Sequence, residues 1–534
     1  MKRTLVLLLL FLIAPAADVR VDASRPWEDK DGYTPVVVRI EALIEPVEVR
    51  LEARLGSARA TDRLRVEPGR PATRTMLLPS NVGWGQPELT WSTPGGSQGI
   101  SVPVAIDYRG VALLVLDPKE QVPVPDLLKL VEAQVQDNSR GARGGSRGSH
   151  GDRVRRIATD ALPDRWQGWP AWLTLLTTAE GEALLDQRQR EAISVWTRLG
   201  GRLLTTDAAA AERWRRAGVT ATLIDPAAEQ QKLLIARLNL VTNEDGRPAE
   251  HPVPGTAEVP TAWFMTLAIA FAVIAGPVNV WWVMRRRRQP WLLLVSTPVI
   301  SAGTCVLLIV VALLSDGIGR RRSAVQISLL DQPAQRAAVF SGCTWFCGIA
   351  PGAFALDAEE RLVPMDEIDW RGGGRNERPE LALDWTAGQR AMAGWIPARI
   401  NRQLASTRFV PERRRVTLTR SGNGWRVGNG LDVAISELHW RDAAGMPWLA
   451  HALAPGEETV MQRGTAGPPE LAEATSRLTL DARLALDDAT TAPGWWIARL
   501  ERPLHPLPGP EAEDSEPIQA WAVGRSGPAA DGGP

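Results

Sequence analysis

The sequence of 534 residues predicts a multidomain α/β plus all-β membrane protein. Three observations lead to this fold class. Two long apolar segments without charged residues flank four consecutive arginines, Arg285, Arg286, Arg287 and Arg288. A stretch after residue 109 alternates apolar strands with helices, which is typical of a parallel α/β domain. The regions 17–108 and 323–505 consist of short alternating runs broken by proline and glycine, which is typical of β-sandwiches.

Residues 1–16 have the composition of a secretory signal peptide. Lys2 and Arg3 precede an apolar run over 5–13, and small residues come next at Ala14 and Ala16. The run is too short to span a bilayer stably, so we expect cleavage after Ala16 and export of the chain beyond that residue. No cysteine lies near this position, which excludes a lipoprotein.

The region 17–108 is predicted to be an immunoglobulin-like β-sandwich. Its strands are expected at 34–44, 47–55, 73–78, 88–92 and 100–106, with turn residues between them. Regularly spaced short strands of this kind indicate two packed antiparallel sheets.

The region 109–245 is predicted to be an α/β domain with a mainly parallel sheet. A continuous apolar run at 111–116 ends at Asp117, as expected of a strand buried on both faces. The predicted order continues with a helix at 126–136, a strand at 172–176, a helix at 186–199 and a strand at 202–205. A Gly-, Ser- and Arg-rich insertion at 138–151 favours an exposed loop over a basic binding arm.

After a Pro-rich linker at 246–261, two membrane helices are expected at 262–284 and 291–314, joined by a turn at 285–290. A bilayer core of about 30 Å needs roughly 20 apolar residues, so each segment can span it. Arginine is strongly disfavoured at mid-bilayer, so the turn stays in water. The aromatic belts at the interfaces are predicted from Trp263, Trp281, Trp282 and Trp291.

Asn279 is the strongly polar side chain near the Gly276-Pro277 kink of the first helix. It is expected to hydrogen-bond within the helix pair or to a partner, and local packing within the pair is favoured over a transport role.

The signal peptide and the short turn together predict the topology. Both large regions are expected on the exported side of a bacterial inner membrane, with two spans and a cytoplasmic arginine turn. Arg320, Arg321 and Arg322 come after the second helix and weaken the positive-inside argument. The signal peptide outweighs them because it decides where the long N-terminal region lands.

The region 323–505 is predicted to hold one or two β-sandwiches, and residues 506–534 are predicted to be mostly disordered because they are rich in proline, glycine and acidic residues. Cys343 and Cys347 could form a disulfide, which we favour, or remain two free thiols. The net charge is zero, so composition does not indicate nucleic-acid binding. No metal or cofactor motif is found, and no cofactor is expected.

A resemblance to a known group rests on residues of the α/β region and the helix pair. The run 162–169 (LPDRWQGW), Gln187-Arg188, Trp196 and the run 200–203 (GGRL) resemble a class I glutamine amidotransferase-like domain of uncharacterised bacterial membrane proteins. The run 276–279 (GPVN), the basic turn and the run 291–298 resemble the paired membrane helices of the same group. The resemblance implies the same order of domains and no assigned activity.

Catalysis by an amidotransferase needs a cysteine nucleophile on a strand-to-helix turn and a histidine base. No cysteine lies between Gly110 and Val241, and the only histidine there is His150. Glutaminase chemistry is therefore not expected. Asp117 and Asp207 come directly after strands and could line a ligand crevice at the strand ends, although helix capping or loop solvation is the favoured role.

The sequence thus favours a non-enzymatic inner-membrane protein that binds an envelope ligand or partner proteins, in contact with the lipid bilayer. Two alternatives stay open: a divergent envelope hydrolase or transferase acting on cell-wall or glycan material, and a transporter accessory subunit. Shifted carboxylates in a deep cleft would favour the hydrolase.

Overall fold

The computed structural model describes residues 19–27, 32–79, 86–102, 113–122, 154–170, 173–219, 221–223, 253, 261–287, 290–316, 319–365, 380–392, 394–422, 424–464, 468, 470–491 and 493–525. The predicted signal peptide, most of the predicted linker, the predicted helix at 126–136, the insertion at 138–151 and Arg288 lie outside these residues.

The N-terminal region forms two facing antiparallel sheets. Its strands are β1 (Val19–Ser24), β2 (Tyr33–Ala42), β3 (Val47–Leu55), β4 (Ala58–Val66), β5 (Ala72–Pro79), β6 (Glu88–Thr93) and β7 (Gly96–Ser101). One sheet has the order β1-β2-β5, and the other contains β4-β3-β6-β7. In β3 every second side chain from Val47 to Leu55 is buried, because one face of the strand packs on the opposite sheet.

The next region along the chain is an α/β unit with a five-stranded parallel sheet. Its elements are β8 (Leu113–Leu116), β9 (Val154–Arg156), β10 (Thr174–Thr177), α1 (Ala179–Leu184), α2 (Gln187–Arg198), β11 (Arg202–Thr205), α3 (Ala208–Arg216) and β12 (Ala221–Leu223). The strand order is β12-β11-β10-β8-β9. Strands β8 and β10 are buried over their whole length, as a parallel sheet covered on both faces requires. The mixed α/β content and the parallel sheet agree with the prediction.

The two apolar helices are long and apolar enough to cross a membrane by length and composition. The first runs over 261–287 and contains π-helical turns at Ile274–Val278 and Val283–Arg287, and the second is Leu293–Asp316. Pro277 lies in the first π turn. A proline has no backbone N–H to donate, and the altered hydrogen-bond pattern of a π turn tolerates this missing donor. Asn279 is buried between the helices, and its Nδ2 donates to Thr297 Oγ1 at 3.3 Å.

The tryptophans at the ends of the helices are exposed where their side chains are described. Trp281, Trp282 and Trp291 are all exposed, and the Arg285 guanidinium lies 5.1 Å from the Trp281 ring centroid. Trp263 lies in the first turn of the first helix. Arg286 and Arg287 complete the last π turn of that helix.

The C-terminal region is dominated by one large sheet. Its order is β16-β19-β14-β13-β28-β26-β22-β23-β25, and β27 pairs with β13. These strands are β13 (Arg320–Asp331), β14 (Arg336–Cys347), β16 (Glu360–Pro364), β19 (Arg402–Pro411), β22 (Ile435–Arg441), β23 (Pro447–Leu453), β25 (Gln462–Arg463), β26 (Trp495–Leu500), β27 (Glu513–Asp514) and β28 (Gln519–Arg525). Strands β20 (Arg415–Ser421), β21 (Gly424–Gly430) and β24 (Glu458–Val460) form a separate sheet, and helices α4 (Glu470–Ser476) and α5 (Leu480–Thr491) come after it in the chain.

The tail beyond residue 506 differs from the prediction of disorder. Strand β28 lies in the middle of the large sheet, parallel to β13 and antiparallel to β26. Trp521 and Val523 are buried. The proline- and acid-rich composition concealed a short apolar run whose backbone hydrogen bonds and burial outweigh the entropy of ordering it. Residues 526–534 lie outside the described chain.

The regions before and after the helix pair form one packed body. Strands β17 (Leu381–Asp384), β18 (Arg390–Ala391) and β15 (Phe354–Ala355) extend the N-terminal sheet beyond β4, with β17 parallel to β4. Leu51 of the N-terminal region shares a core with Trp345 and Trp395 of the C-terminal region. The predicted boundaries at 108 and 323 therefore do not separate independently packed domains.

Two further cores lie on opposite faces of the large sheet. On one face, Trp196 and Trp214 of the α/β unit pack with Leu478, Phe340 and Trp521. On the other face, the sheet β20-β21-β24 covers residues such as Val339 and Trp496. The α/β unit is thus held against the C-terminal sheet by apolar burial.

Candidate functional site

The junction loop, residues 162–169, contacts three parts of the molecule. It follows a short 3₁₀ turn, Thr159–Ala161, that comes after β9, and it runs along the N-terminal sheets before the chain enters β10. The Asp164 backbone N–H donates to Thr75 Oγ1 at 3.1 Å, and Trp27 Nε1 donates to the Gly168 carbonyl at 2.8 Å. A Cβ on Gly168 would lie 3.0 Å from the Leu77 side chain, so this close approach favours glycine.

The same loop is bonded to the C-terminal region. Trp166 Nε1 donates to Glu359 Oε2 at 2.5 Å, and Gln167 Nε2 donates to the Ala358 carbonyl at 2.8 Å. The Trp169 ring lies 5.1 Å from the rings of both Trp27 and Trp196. These directional contacts fix how the α/β unit sits against both β-rich regions.

A cleft of about 1130 Å³ opens beside the junction loop, between the α/β unit and the β-rich regions. Among the described residues it is lined by seven arginines, Arg74, Arg165, Arg188, Arg190, Arg198, Arg213 and Arg336. Four carboxylates line it as well, Asp164, Glu182, Glu191 and Glu359. The excess of guanidinium groups makes the cleft electropositive.

Two of these arginines are held by carboxylates. Arg74 Nε donates to Asp62 Oδ2 at 2.6 Å and its Nη2 to Oδ1 at 3.3 Å. Arg213 makes the same two-pronged contact with Glu182, at 3.1 and 2.7 Å. The two opposite charges of a bidentate pair largely cancel, so Arg74 and Arg213 contribute little net attraction for an added anion.

Three other arginines of the cleft lining are held by looser contacts than these bidentate pairs. Arg165 stacks over Trp385 with 4.4 Å between the guanidinium carbon and the ring centroid, and Arg188 is 70% exposed, 3.9 Å from Asp164. Arg336 stacks at 5.6 Å over Phe409. Burial, and then the like charge of Arg74, lower the pKa of Arg165 from its ordinary value. Arg165 Nη2 lies 3.7 Å from Asp62 Oδ2, so Arg165 shares with Arg74 the single carboxylate of Asp62.

Among the carboxylates of the cleft lining, Glu359 is the one whose pKa is shifted from its ordinary value. Burial raises the pKa of Glu359, and the hydrogen bond from Trp166 opposes this. The aspartate of the junction loop is also constrained, because the side chain of Asp164 is only 8% exposed. The cleft can therefore hold one carboxyl that accepts a proton more readily than a solvated glutamate.

The two aspartates that the sequence singles out come after β8 and β11, which lie on either side of β10 in the parallel sheet, and both lie outside the cleft lining. Asp117 is buried, and its Oδ2 accepts from the Val122 backbone N–H at 2.7 Å. Asp207 caps α3, accepting from the Ala209 and Ala210 backbone N–H groups, each at 3.1 Å, and lies 3.6 Å from Arg213. For Asp207 the capping role is the one that the geometry supports.

The strand-to-helix turn after β10 is a helix cap in this structure. Thr178 Oγ1 accepts from the Gly181 backbone N–H at 3.2 Å. A Cβ on Gly181 would lie 2.2 Å from the Leu116 carbonyl oxygen, so α1 sits directly against the end of β8. The turn thus presents a threonine whose hydroxyl is engaged in capping the helix.

The disulfide predicted between Cys343 and Cys347 is wrong for this fold. Both thiols are free and buried. The two residues lie four positions apart on the same strand, β14, which separates their Cα atoms by about 13 Å. A disulfide requires a Cα separation of roughly 4.4 to 6.8 Å. Within the described residues no group of three His, Cys, Asp or Glu side chains could hold a metal ion.

Sequence reasoning found only the α/β half of the cleft. Arg165 and Trp166 belong to a run that the sequence marks as distinctive, and Arg188 lies close behind it. Arg336, Glu359 and Trp385 come from the far side of the helix pair, and no local pattern marks them. What these three residues share is their position around the cleft in the folded molecule.

Comparisons with known proteins add little. No protein-family model matches the chain, and no curated protein matches it. Among solved structures, a match to the crystal structure of a carbohydrate acetylesterase from Xanthomonas citri has 10% sequence identity and a TM-score of 0.19. It covers 41% of this chain and 74% of that one. This likeness is too weak to carry an argument.

Proposed function

We propose that this chain is a membrane-anchored binding protein of the bacterial cell envelope, whose arginine-lined cleft takes up an anionic ligand. The observation that carries the proposal is the cleft itself, with Arg165, Arg188 and Arg336 around an opening of about 1130 Å³. Guanidinium groups recognise carboxylates and phosphates through paired hydrogen bonds. The volume exceeds that of a typical small-molecule pocket, which favours a segment of an anionic polymer or several linked acidic groups.

The anchor is the apolar helix pair, and the proposed location is the inner membrane with both large regions exported. The shared sheet and core of the N- and C-terminal regions support their placement in a single compartment, because β17 and β4 could not pair across a bilayer. The arginine turn and the predicted signal peptide favour the cytoplasm for the turn and the exported side for the body.

The proposed domain assignments rest on the resemblance described above. In favour of the immunoglobulin-like assignment, β1-β2-β5 faces β4-β3-β6-β7, a Greek-key-compatible order for a sandwich of this type. In favour of the amidotransferase-like assignment, the α/β unit has a parallel sheet with helices between strands. We propose that the uncharacterised membrane-protein group is related to this chain. We also propose that the chain binds a membrane or envelope protein as its partner.

The binding proposal is tested with the full chain in lipid nanodiscs and two oligosaccharide probes of equal length. Oligogalacturonate carries carboxylates, and an oligomaltose is neutral. We expect saturable binding of the anionic probe only, weakened roughly tenfold or more by Arg165→Met or Arg336→Met, since a charged hydrogen bond contributes about 1.5 to 3 kcal/mol. Arg420→Met, an exposed arginine outside the cleft, is the matched control. Equal binding of both probes, or equal effects of all three variants, would reject the cleft as the site.

A second candidate is a divergent hydrolase, and Glu359 is the observation that favours it. A partly buried carboxyl with a raised pKa at the edge of a cleft is suited to general-acid chemistry. Incubation of the chain with acidic glycans, followed by product analysis, separates the two functions. Turnover that Glu359→Gln abolishes while leaving probe binding intact would establish the hydrolase, and binding without turnover would establish the binding protein.

A further inference from the structure

The folded body carries two exposed isoleucines beside the point where the chain leaves the second apolar helix. That helix ends at Asp316 and β13 begins at Arg320. Three residue steps join Asp316 to Gly319, a reach of about 11 Å at most. The start of β13 is therefore close to the end of the helix.

Two loops are hydrogen-bonded to this part of the chain. The Gly348 backbone N–H donates to the Gly319 carbonyl at 3.0 Å, and the Arg399 backbone N–H donates to the Cys347 carbonyl at 2.7 Å. Ile349 is the residue after Gly348, and Ile400 is the residue after Arg399. Both isoleucines are consequently held at the end of the body that faces the helix.

The exposure of these isoleucines is large for apolar side chains. Ile349 is 59% exposed and Ile400 is 60% exposed. Single exposed apolar residues are common and need no explanation. Two β-branched side chains on adjacent loops, at the end of the body where the chain leaves the second apolar helix, form a coherent surface.

Exposed arginines lie in the segments that meet at this surface. Arg320 and Arg321 open β13 with exposed side chains, and Arg399 precedes Ile400 with another. Arg322 instead turns into the body, where its Nε donates to Asp514 Oδ1 at 2.8 Å and its guanidinium stacks at 5.4 Å over Trp345. The basic run after the second helix is thus part of a folded strand, and its first residue, Arg320, is exposed at the end of β13 that pairs with Cys347.

We propose that Arg320, Ile349, Arg399 and Ile400 form a docking face that lies against the headgroup region of the bilayer. The isoleucine side chains reach the boundary between headgroups and acyl chains, and the guanidinium groups bond lipid phosphates. The occupant is the lipid surface because the face continues directly from the end of a membrane-type helix. This inference rests on the proposed function in one respect, that the second apolar helix spans the membrane.

The docking face sets the orientation of the whole body. Strand β13 has 12 residues and extends about 36 Å from this face. The sheet β20-β21-β24 packs on its distal half, where Gln332 Nε2 donates to the Val416 carbonyl at 3.2 Å. Val460 on β24 is 55% exposed and so provides a matched apolar control far from the lipid.

Nitroxide labels test the docking face in the full chain reconstituted in phospholipid nanodiscs. Cysteines are introduced singly as Ile349→Cys, Ile400→Cys, Val460→Cys and Leu307→Cys, in a Cys305→Ala background whose remaining cysteines are buried. Leu307 is 48% exposed on the second apolar helix and reports on spanning itself. The measurement is power-saturation EPR with oxygen, which partitions into lipid, and a water-soluble nickel chelate.

We expect labels at 349 and 400 to be more accessible to oxygen than to the chelate, as the label at 307 is, and the label at 460 to show the reverse order. Labels at 349 and 400 that match the label at 460, while 307 stays in lipid, would overturn the docking face and leave the anchor intact. A chelate-accessible label at 307 would overturn the proposed membrane anchor and the docking face with it.

Discussion

The hydroxyl of Tyr33 accepts a hydrogen bond from the backbone N–H of Leu362 at 3.0 Å, in the core that joins the N-terminal and C-terminal regions. The same oxygen accepts from Gln389 Nε2 at 3.2 Å. Tyr33 is fully buried, and burial raises the pKa of its phenol above the ordinary value. Two residues on opposite sides of the apolar helix pair in sequence thus share one buried polar contact.

Tyr33→Phe should destabilise the folded body by about 1 to 3 kcal/mol, because it leaves two buried donors without their acceptor. The free energy of unfolding, from urea titration followed by tryptophan fluorescence in detergent, measures this. Thr90→Val removes an exposed hydroxyl whose acceptor, the Glu52 carbonyl, is 3.3 Å away, and it should change stability by less than about 0.5 kcal/mol. Equal effects of the two variants would show that the hydrogen bonds of Tyr33 do not stabilise the packing of the two regions.

Trp166→Phe should cost about 1.5 to 3 kcal/mol, because the indole N–H donates to the partly buried carboxyl of Glu359. The matched control is Trp214→Phe. Trp214 also lines the cleft and is buried, but its Nε1 has no hydrogen-bond partner among the described residues. Thermal unfolding of both variants separates the loss of ring volume from the loss of the donor. A smaller loss of stability for Trp166→Phe than for Trp214→Phe would contradict a stabilising hydrogen bond between the junction loop and Glu359.

Glu412 should make stability dependent on acid pH. Burial alone raises its pKa, but hydrogen bonds from His505 and Arg414 outweigh burial and hold the pKa of Glu412 at about 2, below its ordinary 4.5. The ionised form is therefore favoured in the folded state. Its contribution, about 2 to 3 kcal/mol, is fully present above pH 4.5 and is lost as the pH falls toward 2.

Chemical denaturation at pH 7 and at pH 2.5 (roughly the two ends of this window) checks the Glu412 prediction. Glu412→Gln should lower stability at pH 7 and have a much smaller effect at the acid end. Glu458→Gln, in an exposed pair 3.6 Å from Arg426, should change neither value appreciably. A loss in Glu412→Gln that does not depend on pH would rule out the titration as its cause.

Cys343 and Cys347 should behave as free, shielded thiols. Burial raises the pKa of Cys343 to about 12, so almost none of it is thiolate at neutral pH. Maleimide labelling of native protein should be more than tenfold slower at Cys343 than at an introduced Val460→Cys, and about equal in urea. Intact mass measured with and without prior reduction should show no difference. A mass gain on reduction, or rapid native labelling, would contradict the geometry of β14.

Local patterns predicted a large part of the fold. The capping box at Asp186, with Gln189 bonded back to it, begins α2 within one residue of the predicted helix start. The strand at Arg202–Thr205 and the two apolar helices were likewise visible, because periodicity and apolar length are properties of a contiguous segment. The strand at Gln519–Arg525 was missed, since its partners β13 and β26 are distant in sequence and its composition is that of a flexible tail.

The cleft was also predictable only in part, because the residues that line it are distant from one another in sequence. Asp117 and Asp207 were singled out because they come directly after strands, yet Asp207 serves as a helix cap. Arg165 lay within a recognisable run, whereas its ring partner Trp385 is 220 positions away in sequence (385 minus 165). A stacked pair of this kind leaves no trace in either local segment.

The amino-acid sequence by itself determined the element types, the parallel character of the α/β unit and the presence of two membrane-length helices, because each depends on the free energy of a short contiguous stretch. Only the tertiary structure decided that the regions on either side of those helices share a sheet and a core, that two cysteines on one strand stay apart, and that seven arginines meet in one cleft. Those outcomes depend on burial and hydrogen bonding between residues far apart in the chain, which no local pattern encodes.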